Sequence, residues 1–251
     1  MTGQAFDSVA EDPPSPPRLG PAARPRDAAT LILVRRSPGE PQVLMGRRHG
    51  GHDFMPGKWV FPGGRVDRGD ARAPAATELR PEVAERLGRA ASPARARALA
   101  LAAIRETFEE AGLLLARPAP QWSAGALARE GRGETPRLRS GPWRAFLAHG
   151  AAPDLAALDF VARAITPPIS PKRFDARFFM ADAEALLSQE RLADCGELDE
   201  IAWVPLDEAL SLDLPSVTRY VLRDLPARLA DPSRPAPCLS YRHGRQSIVH
   251  V

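Results

Sequence analysis

Hydrophobic positions along the chain fall into short blocks separated by polar and proline-rich stretches, each with the length of a strand or the spacing of a helix. Ala28–Val34 (AATLILV) is of strand length, Ser37-Pro38-Gly39 reads as a turn, and Gln42–Met45 as a returning strand. Trp59–Phe61 predicts a short strand that ends on Pro62-Gly63-Gly64. Pro81–Leu87 predicts a helix with proline in its first turn. Ser92-Pro93 is a helix start, and Gly112 supplies the stop. Between them Leu101, Ile104, Phe108 and Ala111 recur at three- and four-residue steps, which predicts one buried face, with Glu106, Glu109 and Glu110 largely away from it.

Downstream the pattern is more broken. Residues 116–141 are rich in Pro, Gly, Ser and Arg and read as loop. Helices are predicted at Trp143–His149, Asp154–Leu158, Leu206–Leu210 and Val217–Leu229. Strands are predicted at Phe160–Ile165, Arg177–Met180 and Ile201–Val204, with a final hairpin over Cys238–Val251 around His243-Gly244. Strands and helices mix without regular β-α-β alternation, so the expected class is α/β (α+β), a sandwich of helices on a mixed sheet. Residues 1–26, proline-rich and without apolar period, read as a flexible arm, and 27–251 as one domain.

Composition alters this picture little. The chain of 251 residues is 44% hydrophobic, which suits a globular core, and its net charge is only +3. Nearly all the basic residues are arginine, spread among acidic ones rather than gathered into a stripe. That argues against a nucleic-acid partner and suits a phosphate-bearing small molecule. Cys195 and Cys238 are far apart and lack metal-ligand spacing. No apolar run reaches spanning length and no signal-peptide layout opens the chain, so a cytoplasmic protein with no membrane partner is expected.

Two segments change the picture. One is Phe61-Pro-Gly-Gly64-Arg-Val-Asp-Arg-Gly-Asp70, the other Arg105-Glu-Thr-Phe-Glu-Glu-Ala-Gly112-Leu113. On a helix, positions i, i+3 and i+4 are neighbours, so Glu106, Glu109 and Glu110 bring three carboxylates within reach of one small volume. Such a cluster repels itself unless hard cations neutralise it, and oxygen-only ligands favour Mg²⁺ or Mn²⁺. Arg105 can pair along the helix with Glu109 or reach back to Asp70 and hold the loop against the helix; structural pairing is the preferred reading.

Together the two segments resemble the Nudix signature: a glycine (Gly64), an acid six positions on (Asp70, where Glu is usual), then Arg105, Glu106, Glu109, Glu110, Gly112 and Leu113. Thr107 stands where the family prefers a larger apolar residue. Thirty-four residues separate Asp70 from Arg105, where the motif usually has seven, so an insertion is placed at about 71–92. The resemblance implies a Nudix-type α/β/α sandwich and a pyrophosphohydrolase that needs Mg²⁺ or Mn²⁺. The metals would be carried by Glu106, Glu109 and Glu110 with the Gly63 carbonyl, and Arg105 would complete the catalytic set. The general base stays open between a glutamate of the helix and an acid from a later loop, Glu197 or Glu200.

The insertion, Thr166–Pro171 (TPPISP) and Lys172–Phe179 (KRFDARFF) look like the acyl-coenzyme A diphosphatase branch. Against that, Asp53 and Met55 occupy positions where many coenzyme A hydrolases carry Arg and His, although Gly57 fits their motif. The expected substrate is a nucleoside diphosphate derivative, coenzyme A or acyl-coenzyme A first. The alternatives are an ADP-ribose or dinucleotide pyrophosphatase and a non-catalytic nucleotide-sensing Nudix domain. Arg47 and Arg48 are candidates for substrate phosphates, and Phe54, Trp59 and Phe179 for stacking on a base. Oligomeric state stays open, though family members are often homodimers.

Overall fold

The computed structural model describes residues 23–36, 39–51, 55–123, 141–192, 198–242 and 245–250. Most of the expected N-terminal arm lies outside them. Strand β1 (Arg26–Arg35) alternates in the manner of a strand buried on both sides: Ala29, Leu31 and Leu33 enter one core cluster, Ile32 and Val34 the other. It is the centre of a mixed sheet. On one side it runs parallel to β8 (Phe174–Asp182), which pairs antiparallel with β7 (Asp159–Ile165). Beyond β7 comes the hairpin β10–β11 (Pro237–Arg242 and Arg245–His250), as the sequence predicts. On its other side β1 pairs with both β2 (Gln42–Arg48) and β4 (Gly63–Arg65). β2 in turn pairs with β3 (Trp59–Val60) and β9 (Leu198–Pro205).

Helices cover both faces. One face lies under α4 (Leu206–Ala209) and α5 (Ser216–Ala230), through Leu206, Ala209, Val221, Leu222 and Leu225. The other lies under α2 (Pro93–Ala111), which starts on a Ser92 cap accepting from the Arg95 amide and ends on Gly112 at φ 67°. This is the expected α/β/α arrangement.

The environment of α2 differs from the sequence expectation. Instead of one buried face it is buried on nearly every side: Leu99, Ala100, Leu101, Ala102, Ala103 and Ile104 in succession have no exposed surface. A second layer causes this. Residues 71–92 dock on the segment that follows α2, with the Ala76 amide donating to Pro153 O and Thr77 bridging Asp154. They carry α1 (Pro81–Gly88), whose Val83 and Leu87 enter the core. The short strands β5 (Ala116–Pro118) and β6 (Ala151–Pro153) pair with each other, and α3 (Gly141–Ala148) brings Trp143, Phe146 and Leu147 into the same cluster. The stretch read as loop therefore begins with a strand and a 3₁₀ turn at Pro120–Trp122. The predicted helix at Asp154–Leu158 is a 3₁₀ turn over Leu155–Ala157.

Candidate active site

The last two turns of α2 lie against the strand-and-turn segment Gly63–Asp70. Gly63 pairs with Thr30, Gly64 with Ala29 and Arg65 with Ala28, so β1 carries this segment beneath the helix. The Gly63 amide donates to Glu110 Oε2 at 2.8 Å. A Cβ on Gly64 would fall 2.5 Å from the Glu106 carboxylate, so the glycine makes the space that this side chain occupies.

Arg105 is 3% exposed and sits at the centre. Its Nε and Nη2 donate to the two oxygens of Asp70 at 2.8 and 3.0 Å, a bidentate pair. Its Nη1 donates to Glu106 Oε1 at 2.9 Å and to Glu109 Oε2 at 2.5 Å, and Nη2 also to Arg65 O at 2.8 Å. Burial works against the charged guanidinium, but Asp70, Glu106 and Glu109 outweigh it and hold its proton more tightly than an ordinary arginine's. The preferred reading of Arg105 as a structural tie therefore agrees with the geometry.

Asp70 has no exposed surface. Besides Arg105 it accepts from the Asp67 amide at 2.7 Å and from the Trp143 indole Nε1–H at 2.9 Å. Trp143 is the one participant here that the sequence reading placed only as the start of a helix. Nothing in its local pattern distinguishes it from a core residue.

The three glutamates thus share one end of the helix, and Glu110 is 5% exposed. Two of them point to Arg105 and the third to the Gly63 amide. Among the described residues no three acidic, His or Cys side chains converge closely enough to hold an ion between them. In chemistry the donor set suits a hard divalent cation: its side chains are carboxylates on neighbouring helix positions, beside a glycine cradle that a methyl group would fill.

The other candidates are scattered. Arg47 is exposed, opposite Glu200 and Trp59 in the sheet. By strand alternation Arg47 shares the face of Val43 and Met45, which α4 and α5 cover, and Trp59 packs on that same cluster. Glu200 shares a face with Val204 there, away from α2. Arg48 is half-buried, after a register shift in β2. Phe179 has no exposed surface and packs on Phe160 with centroids 6.2 Å apart, so it fills the core instead of presenting a ring to a base. Phe54 and Glu197 lie outside the described residues.

No family model matches the chain. Among solved structures it is similar to a Nudix hydrolase from Alicyclobacillus acidocaldarius, with 31% identity over 81% of this chain and 92% of that one and a TM-score of 0.57. Weaker likenesses include the M. smegmatis Nudix hydrolase RenU, at 18% identity over 82% and 86% of the two chains and a TM-score of 0.40. Another is the Nudix domain of Shewanella oneidensis NrtR complexed with ADP ribose, at 12% identity over 82% and 90% and a TM-score of 0.46. At such values the last two say nothing of chemistry.

Proposed function

This chain belongs to the Nudix hydrolases, and from that premise we propose that it cuts the diphosphate linkage of coenzyme A or an acyl-coenzyme A with water, in a reaction that needs Mg²⁺ or Mn²⁺. The observation that carries the hydrolytic reading is the end of α2 at the glycine cradle, where Arg105 holds Glu106 and Glu109 and the Gly63 amide holds Glu110.

Glu106, Glu109 and Glu110, with the Gly63 carbonyl, are the residues that would hold the metal. A divalent cation bound there supplies charge neutralisation of the diphosphate and activation of water for attack at phosphorus. The chain's own part is positional. Asp70 orients Arg105, and Arg105 orients Glu106 and Glu109, so two carboxylates that would otherwise repel each other are presented together. The Gly63 amide aims Glu110. The base that takes the water's proton is either one of these glutamates or Glu197. Arg48 is the better placed of the two candidate phosphate contacts, because Arg47 and Trp59 belong to the opposite face of the sheet.

The coenzyme A assignment rests on the insertion and on the segments Thr166–Pro171 and Lys172–Phe179. Asp53 and Met55, which depart from the coenzyme A motif, favour a second reading: ADP-ribose or a dinucleotide as substrate. A sensing role without turnover is disfavoured because all three helix carboxylates are kept. The test is a panel of coenzyme A, an acyl-coenzyme A, ADP-ribose, NADH and diadenosine polyphosphates with Mg²⁺, wild type beside Glu110→Gln, products resolved by mass. The expected result is 3′,5′-ADP with a phosphopantetheine from wild type alone. AMP from ADP-ribose or NADH, with coenzyme A intact, selects the second reading. Survival of every compound overturns hydrolysis of this class.

A further inference from the structure

We propose that Trp143 is a positioning residue for the reaction, acting through Asp70 and Arg105 on the helix carboxylates. The proposal rests on the diphosphatase reading of α2. Trp143 is fully buried, on a helix that follows the motif, 73 residues from Asp70 in sequence. A tryptophan that only filled the core would need its ring alone. Here the indole Nε1–H donates at 2.9 Å to the same Asp70 oxygen that takes Arg105 Nε at 2.8 Å.

A carboxylate offers about four acceptor sites. Asp70 fills them with two donors from Arg105, the Asp67 amide and the indole. With every site taken, the carboxylate has one orientation, and Arg105 inherits it. Because Arg105 grips both Glu106 and Glu109, a tilt of Asp70 passes directly to two of the three carboxylates. The donor is itself held from the helix it serves. Its ring lies 5.4 Å from Phe146, and Phe146 meets Phe108 of α2 edge-on at 5.3 Å. Trp143 thus fixes from a distant segment the orientation of an aspartate where the family usually has the longer glutamate.

The experiment uses the full chain with Trp143→Phe, which keeps an aromatic ring against Phe146 and removes the donor. Mn²⁺ affinity is read without substrate by water-proton relaxation, kcat and KM with the substrate found for wild type, and folding by thermal melting. We expect kcat to fall about tenfold with KM within about twofold, and Mn²⁺ binding to weaken several-fold. In an Asp70→Asn background the same change should add little, since both act through one carboxylate. Wild-type kcat and Mn²⁺ affinity in Trp143→Phe, or fully additive losses in the double variant, would overturn the proposal.

If Trp143→Phe does not fold, the wild-type indole resonance still tests it, assigned from Phe variants of Trp59, Trp122 and Trp203. It should shift on Mg²⁺ addition in wild type and stay fixed in Asp70→Asn; indifference to Mg²⁺ in wild type overturns the coupling. Failure of the diphosphatase reading shows separately, as a wild type that leaves every substrate intact.

Discussion

A Cβ on Gly64 would meet the Glu106 carboxylate at 2.5 Å, the movable end of a flexible side chain. A Cβ on Gly63 would instead meet Ala29 O at 2.6 Å and Thr30 Cα at 2.7 Å, which are backbone. The two alanine variants should therefore part company. Gly64→Ala displaces Glu106 and is expected to lose most activity while melting near wild type. Gly63→Ala pushes β4 off β1 and is expected to cost about 1–3 kcal/mol of stability, read from urea unfolding. Equal melting points with equal activities would contradict this placement of the glycines. Glu110 belongs to the same scale. The sequence pattern puts it on an open face, but it is 5% exposed and bonded to the Gly63 amide, so only the isosteric Glu110→Gln tests chemistry apart from folding.

Helix α2 carries the candidate site, and a second layer packs over it. Phe146 of α3 has no exposed surface and touches both Phe108 and Trp143. Phe146→Ala opens a cavity between the layer and the helix and is expected to destabilise the fold by about 3–5 kcal/mol. The check is the shift of the urea midpoint. A loss under about 1 kcal/mol would mean that the layer closes over the gap easily and contributes little rigidity. The same layer explains why an amphipathic reading of α2 fell short. Its alanines at 98, 100, 102 and 103 leave no strong periodicity, since each side of the helix has a neighbour to pack against.

At the scale of the molecule, among the described residues, a buried charge cluster outside the site joins the sheet to the start of α2. Asp175 of β8 is 6% exposed and accepts two bonds from Arg163 of β7 at 2.8 Å each. It also pairs with Arg177 at 2.5 Å, and Arg95 of α2 reaches both it and Asp27 of β1. Burial alone would raise the Asp175 pKa, but Arg163 and Arg177 outweigh it and hold the carboxyl below its usual range. A depressed folded value means stability that is full above the unfolded pKa of about 3.9 and lost as pH falls through the folded one. Asp175→Asn should cost about 3–5 kcal/mol at neutral pH by leaving arginine charge uncompensated. It should also flatten the loss of stability below about pH 4. An unchanged acid limb in that variant would remove Asp175 from the account. Among the described residues no helix is long and apolar enough to cross a membrane.

What the sequence determined by itself is local or repetitive. The strand runs, the caps of α2 at Ser92 and Gly112 and the helix spacing of three glutamates all depend on neighbours in the chain; for Arg105 the sequence offered Glu109 or Asp70, and the fold supplies both. Tertiary structure alone decided what covers them. That Phe179 is core, that Arg47 and Trp59 face away from α2, and that Trp143 completes the shell of Asp70 depend on how segments distant in sequence stack. Burial and hydrogen bonding across such distances are set by packing of the whole fold, and a tryptophan in a short helix carries no local sign of which buried carboxylate it will meet.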